Sequence, residues 1–301
     1  MTSTHGLTGD ERRNFVRYTR TRAWPMLQRF PITDELHDEL LAQMLGCATG
    51  TVRSIVGAFA EQARDTAADM LADPRFRDVV GALPFGPEDR VVAIGDSVTA
   101  DRIGWFEILS AAVTLVGGPA PTMVNLGVSG NTTADVIERF DLVEASRPTH
   151  VLLMLGTNDV RIHGRAVGHR MATGPETERN LRVLLDLIAG LGTTVTAITP
   201  PVVDQGRIDA FFAGEPVRWH ERDIDEVAEI VRKVAPAGLD LHTASRSEDL
   251  GGYLEADGVH PSPAGQRLIL AHVVEHLTGL RSGLAGPATL NPNGIRTPSD
   301  R

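Results

Sequence analysis

Cysteine and lysine are almost missing from this chain of 301 residues. Cys47 is the one cysteine, so no internal disulfide can form and nothing calls for an oxidising compartment. Lys233 is the one lysine among many arginines, which reads as a high-GC coding sequence rather than a functional device. No run of residues has the length and apolarity of a membrane span. The opening MTSTHGLTGDERRNF also lacks the uninterrupted apolar stretch of a signal peptide, so a cytoplasmic protein is expected. Positive charge is in deficit: 29 Lys and Arg against 39 Asp and Glu give a formal net charge of −10, which argues against a general nucleic-acid binder. What is present, 42% hydrophobic and 23% charged residues, is ordinary for a globular protein of one large domain or a domain with an extension.

Three regions separate along the chain. Residues 1–85 read as helices only. Thr8-Gly9-Asp10-Glu11 fits a capping box, Pro25 interrupts the next helix, and Thr33-Asp34-Glu35 opens a second helix with Leu36, Leu40, Leu41, Met44 and Leu45 on one face. A third, from about Thr51, carries Val52, Ile55, Val56, Phe59, Ala63 and Met70 before the punctuation of Leu83-Pro84-Phe85-Gly86-Pro87. Residues 86–280 alternate short apolar runs (Val91–Ile94, Thr122–Asn125, Val151–Leu155, Val195–Thr199 and Leu239–His242) with helical stretches at 103–116, 133–141, 177–190, 222–234 and 263–279. That alternation predicts parallel crossovers and a sheet covered on both faces, with functional groups at the carboxyl ends of the strands. Residues 281–301, rich in Gly, Pro, Ser and Asn without periodicity, read as a flexible tail.

Acyl transfer needs a nucleophile, a base, a group that orients the base and donors for an oxyanion. The chain offers a candidate for each. In VVAIGDSVTADRIGW an apolar run ends in Gly95-Asp96 and a helical pattern begins, which places Ser97 where a nucleophile would sit. In DGVHPS, His260 is the candidate base and Asp257 the candidate carboxylate three residues earlier, with Gly258 allowing a tight turn between them. The oxyanion donors would be the backbone N–H groups of Ser97 and Gly130 and the side-chain amide of Asn158.

The blocks GDSVT, NLGVSGN, GTND and DGVHPSPAG, in that order, resemble the four motif blocks of the SGNH hydrolases, also called the GDSL esterase/lipase family. The resemblance covers roughly residues 90–280 and places the family's four named residues at Ser97, Gly130, Asn158 and His260, with Asp257 as the triad acid. Val98 departs conservatively from the leucine common at that place. The resemblance implies a three-layer α/β/α, flavodoxin-like fold with a five-stranded parallel sheet, and hydrolysis of small-molecule carboxylic esters of short to medium acyl length without metal or cofactor. Thioester hydrolysis and acyl transfer would use the same machinery. The rival of another class is a non-catalytic binding protein working through its N-terminal helices, a region on which the resemblance is silent.

Other patterns carry simpler readings. His272-Val273-Val274-Glu275-His276 fits an inverted zinc-protease motif, but Val273, Val274 and Leu277 read as the buried stripe of the last helix, so no metal is expected. Leu41 to Val52 faintly matches a helix-turn-helix with few basic residues, and a helical cover on the hydrolase is the expected reading. The arginines at 12, 13, 17, 20 and 22 read as a solvated helix face. Phe211, Phe212 and Trp219 suit either a substrate pocket or packing against the N-terminal helices. Oligomeric state is left open by the sequence.

Overall fold

Period-two alternation within the strands sets the architecture. Val91, Ala93, Leu152 and Met154 point to one side of the sheet and Val92, Ile94, Val151 and Leu153 to the other, and all eight are buried. A sheet apolar on both faces needs a helical layer on each. The computed structural model describes residues 7–284 apart from Val167 and Ser247. Among these, six strands occur: β1 (Arg90–Gly95), β2 (Thr122–Asn125), β3 (His150–Met154), β4 (Ile162–His163), β5 (Thr194–Ile198) and β6 (Val217–Arg218). The main sheet is wholly parallel with order β2-β1-β3-β5, and β4 and β6 form a small antiparallel ribbon.

Five helices precede the sheet: α1 (Gly9–Tyr18), α2 (Pro25–Gln28), α3 (Asp34–Met44), α4 (Thr49–Leu71) and α5 (Pro74–Gly81). Ten come after β1: α6 (Ser97–Ala100), α7 (Trp105–Val116), α8 (Thr133–Glu138), α9 (Phe140–Ser146), α10 (Gly174–Gly190), α11 (Gln205–Phe211), α12 (Glu221–Val234), α13 (Leu241–Ser245), α14 (Leu250–Tyr253) and α15 (Pro263–Thr278). Helices α5, α7 and α15 and the C-terminal half of α4 cover one face of the sheet. Helices α8, α9 and α10 cover the other, with α12 packed beside α10. No described helix is long and apolar enough to cross a membrane.

The α/β fold, the parallel sheet and the helical N-terminal region agree with expectation. The strand number does not: the main sheet has four strands, not five. Of the run Leu239–His242 only Leu239 pairs, as a single parallel bridge to Ile198. The Asp240 carboxylate then accepts the Thr243 N–H at 3.1 Å and caps α13, so the chain turns helical after one extended residue. The expected tail also begins differently. Ser282 is buried and donates its N–H and hydroxyl to Glu275 at 2.7 and 2.6 Å, so the chain docks on α15 past residue 280. The remainder of that stretch, 285–301, lies outside the described residues.

The N-terminal helices share the core of the α/β layers. Thr8 and Glu11 close a capping box on α1, and Thr33 caps α3. Ala63, Ala67, Met70 and Leu71 of α4 and Phe76, Val79 and Val80 of α5 belong to one apolar cluster with Val91, Leu109, Ile269 and Val273. A satellite cluster joins Val16, Leu41, Ala42, Leu45, Val52 and Phe59 to Ile103, just beyond α6. The stretch with the faint helix-turn-helix match is thus the interior of that satellite.

Candidate active site

Strand β1 lies where the chain order reverses, with β2 on one side and β3 on the other. The carboxyl ends at such a point border a crevice. There Asp96 ends the extended chain, accepts the Val98 N–H at 3.0 Å and caps α6. Ser97 is the first residue of that helix, so its N–H has no intrahelical partner. Asp96 is buried. Burial pushes its carboxyl up to about 6, against the pull of the Val98 N–H and the nearby His260.

The loop before α15 supplies the base side. Gly258 has φ +73°, and a Cβ there would fall 2.6 Å from the Asp204 carbonyl oxygen, so the turn requires glycine. Asp257 accepts the N–H groups of Val259 and His260 through Oδ1, each at 2.9 Å. Its Oδ2 lies 2.6 Å from His260 Nδ1, and His260 Nε2 lies 2.9 Å from Ser97 Oγ. A carboxylate at Nδ1 selects the tautomer that leaves Nε2 free to accept the serine proton. Burial alone would lower the histidine's proton affinity. The hydrogen bond and charge of Asp257 outweigh it, helped by Asp96 and Glu255, and His260 ends above its ordinary range. Burial also acts to raise Asp257, but His260 and the two backbone N–H groups hold it below the usual carboxylate range.

The loops after β2 and β3 supply the third side. Gly130 adopts φ +84°, and a turn closed by the Asn131 N–H on the Val128 carbonyl at 3.1 Å shapes its segment. The Asn158 amide donates to the Asn131 carbonyl at 3.3 Å, which brings Asn158 against the Gly130 loop. Three braces hold these loops. Asp159, fully buried, accepts the Thr133 N–H at 2.9 Å and the Thr177 hydroxyl at 3.2 Å. Asn125 accepts the Gly127 N–H and donates to the Thr99 carbonyl, each at 2.8 Å, so the β2 loop is stitched to α6. Arg139, with no exposed surface, donates to Asn131 Oδ1 at 2.7 Å and the Leu126 carbonyl at 2.8 Å. Burial pushes that guanidinium down to about 10.

The structure therefore brings Ser97, Asp257 and His260 into one hydrogen-bonded chain and sets Gly130 and Asn158 at adjoining loops. Trp219 and Phe212 lie beside the Asn158 loop. Trp219 is 8% exposed, donates its indole N–H to the Thr157 carbonyl at 3.0 Å and packs with Val160, Val227 and Val259. Phe212 leans on Trp219, whereas Phe211 is 56% exposed. Trp219 and Phe212 pack with this cluster and not with the clusters of the N-terminal helices. Of the inverted zinc motif, His272 is buried and Glu275 is occupied by Ser282 and Arg281. Among the described residues no group of three His, Cys, Asp or Glu side chains is placed to hold a metal ion. Two arginines depart from the expected solvated face. Arg17 and Arg20 have side chains only 11% and 13% exposed, because each reaches carboxylates around α6.

Such a crevice, with its serine on a strand-to-helix turn, defines an acylhydrolase of the α/β class. Residues 93–268 match the GDSL-like Lipase/Acylhydrolase family, and the chain belongs to that family of carboxylic ester hydrolases. No match was found among curated proteins. Several solved structures are similar. Axe2, an acetylxylan esterase from Geobacillus stearothermophilus, is 23% identical with a TM-score of 0.51, over 64% of this chain and 95% of its own. LAE5, an alpha/beta hydrolase enzyme from the metagenome of Lake Arreo, Spain, is 24% identical with a TM-score of 0.53, over 64% and 96%. The acetyl xylan esterase AlAXEase is 22% identical with a TM-score of 0.51, over 61% and 97%. At these identities the likeness is one of fold.

Proposed function

We propose that this protein is a serine esterase that cleaves carboxylic esters of short to medium acyl length through an acyl-enzyme on Ser97. The observation that carries the reading is the continuous chain from Ser97 Oγ to His260 Nε2 at 2.9 Å and from His260 Nδ1 to Asp257 at 2.6 Å. Ser97 Oγ attacks the acyl carbon while His260 takes its proton, and the developing imidazolium is stabilised by Asp257. The oxyanion of the tetrahedral intermediate is met by the N–H groups of Ser97 and Gly130 and by the Asn158 amide. His260 returns its proton to the leaving alkoxide. The same residue then draws a proton from the water that releases the acid and frees Ser97. A short acyl group is the first class to test, because two proteins of like fold bear the name acetylxylan esterase.

The test is covalent labelling together with turnover. A fluorophosphonate should label the wild-type chain at Ser97, and p-nitrophenyl esters from acetyl upward should be hydrolysed. Ser97→Ala should remove the label and lower kcat by roughly 10⁴-fold or more. A folded Ser97→Ala protein with near-wild-type turnover would refute the assignment. A wild-type chain that neither labels nor turns over would favour a binding protein instead.

A further inference from the structure

We propose that helix α1 is a working part of the catalytic centre, with Arg17 the positioning residue that clamps the Ser97 helix to the His260 loop. This inference rests on the assignment of Ser97 and His260 above. The Arg17 guanidinium forks onto Asp101 with two bonds of 2.8 and 2.6 Å and reaches Glu255 with a third of 2.7 Å. Both carboxylates sit at hinges of the site. Asp101 closes α6, donating its N–H to the Ser97 carbonyl at 3.1 Å, and is fully buried. Glu255 opens the loop of the base, donating its N–H to the His260 carbonyl at 2.8 Å and accepting the Gly258 N–H at 3.1 Å through its own carbonyl. One planar cation therefore spans the segment of the nucleophile and the segment of the base.

Tyr18, the next residue of α1, lies at the same place. The guanidinium carbon of Arg17 stands 4.9 Å over the Tyr18 ring, and that ring lies 4.9 Å from the His260 ring, centre to centre. The region past α1 extends the clamp to the oxyanion side. Arg20 donates to the Ala100 carbonyl at 2.6 Å and to Glu107 at 2.7 Å, and Glu107 also receives the amide of Asn125, which holds the β2 loop.

A cover that served only to shield apolar surface would dock through apolar side chains, yet Val16 is the buried residue of α1. The helix docks through buried charge, and desolvation offsets most of the Coulombic gain of such pairs. What a bidentate arginine supplies in full is orientation. The reacting pair depends on it, since a shift of about 1 Å can cost on the order of 10²-fold in rate.

The charge around His260 gives the clamp a second readout. Asp257 and Glu255 act on it from its own loop and Asp96 from the Ser97 segment, the Tyr18 ring of α1 lies beside it, Arg17 pairs with Glu255, and Arg207 donates to the Glu255 carbonyl at 3.1 Å. Arg17 is the cation paired with Glu255. Its removal leaves that carboxylate without its ion pair, and the freed charge makes His260 harder to deprotonate.

The experiment compares wild type, Arg17→Lys, Arg17→Met and Ser97→Ala as full chains, with fold checked by thermal melting and kcat, KM and their pH profiles measured on p-nitrophenyl acetate. Arg17→Met should lower kcat by roughly 10- to 100-fold with KM nearly unchanged, and should move the acid limb of kcat/KM to higher pH. Arg17→Lys, which keeps the charge but loses the fork, should lower kcat while leaving the acid limb in place. A folded Arg17→Met with wild-type kcat overturns the proposal. So does a fall in kcat with the acid limb unmoved, which would assign Arg17 to packing alone. If Arg17→Met does not fold, Arg17→Lys carries the test, and wild-type kcat in that variant overturns it. Residual turnover in Ser97→Ala would mark failure of the underlying assignment, which is distinguishable from failure of the clamp.

Discussion

Asp257 performs two tasks with one carboxylate. One oxygen ties the backbone of Val259 and His260 into the turn, and the other holds the imidazole. Asp257→Asn keeps an acceptor for the turn but sets an amide against Nδ1, which drives the proton to Nε2 and removes the acceptor that Ser97 needs. We expect kcat to fall by roughly 10⁴-fold. The pH profile should move as well. His260 works as a base only when neutral, so activity declines as pH falls through its pKa, which in wild type lies above the ordinary 6.5. Without the carboxylate that pKa drops, so the acid limb of the residual kcat/KM should shift to lower pH, and an unmoved limb would separate Asp257 from the histidine. Asn158→Ala should reduce kcat on the order of 10²- to 10³-fold with a smaller effect on KM, because the amide meets charge that develops only in the transition state. Steady-state kinetics on one aryl ester decide it, and a change confined to KM would place Asn158 in ground-state binding.

Each loop of the site is a local motif fastened by a distant partner. The local part is legible in the chain. Gly-Asp-Ser at a strand end and Asp-Gly-Val-His with its glycine turn are held by contacts two or three residues apart. The fastenings are not legible, because their partners lie far off in sequence. Asp159 sits in the GTND block, yet it reaches Thr133 at the start of α8, 26 residues away. Nothing local marks Arg139, which the fold buries against Asn131. The missing fifth strand is different, since its signal is present. Asp240 precedes a helical turn as a capping residue would, and that cap ends the extended chain directly after Leu239. Replacing Asp159 by Ala strands the Thr133 and Thr177 donors inside the protein. We expect a loss of about 1–3 kcal/mol for a buried group so orphaned. The drop should appear as a lower urea midpoint together with a reduced kcat, and an unchanged midpoint would show that water replaces the carboxylate freely.

At the scale of the whole molecule, the division into a helical region and a hydrolase region is clear in sequence and dissolves in the core. Pattern separates residues 1–85 from the rest of the chain, but Met70, Leu71, Phe76, Val79 and Val80 share a cluster with strand β1 and helices α7 and α15. Arg17 and Arg20 depart from expectation for a related reason: periodicity shows which face is charged, not that carboxylates at residues 101 and 255 reach Arg17 and that of residue 107 reaches Arg20. We propose that residues 1–85 are an integral cover. Burial contributes about 1.5–3 kcal/mol for each large apolar side chain, so stripping the cover removes more than a domain's net stability. An 86–301 chain should be aggregated or poorly folded in size-exclusion chromatography, whereas a monodisperse 86–301 chain with full kcat/KM would make the helices an autonomous module.

The relay also fixes when activity can arise. Ser97 and His260 are 163 residues apart in the chain, and Arg17 and Glu255 are 238 apart. A ribosome making this protein lays down the nucleophile long before the base and the clamp long before its second anchor. Loop closure over such spans must be met before the contacts return anything, so a site of this kind belongs to the late, non-local part of folding. On the proposed assignment a nascent chain is inert towards esters until residue 260 has been added, well after β5 has completed the strands of the main sheet.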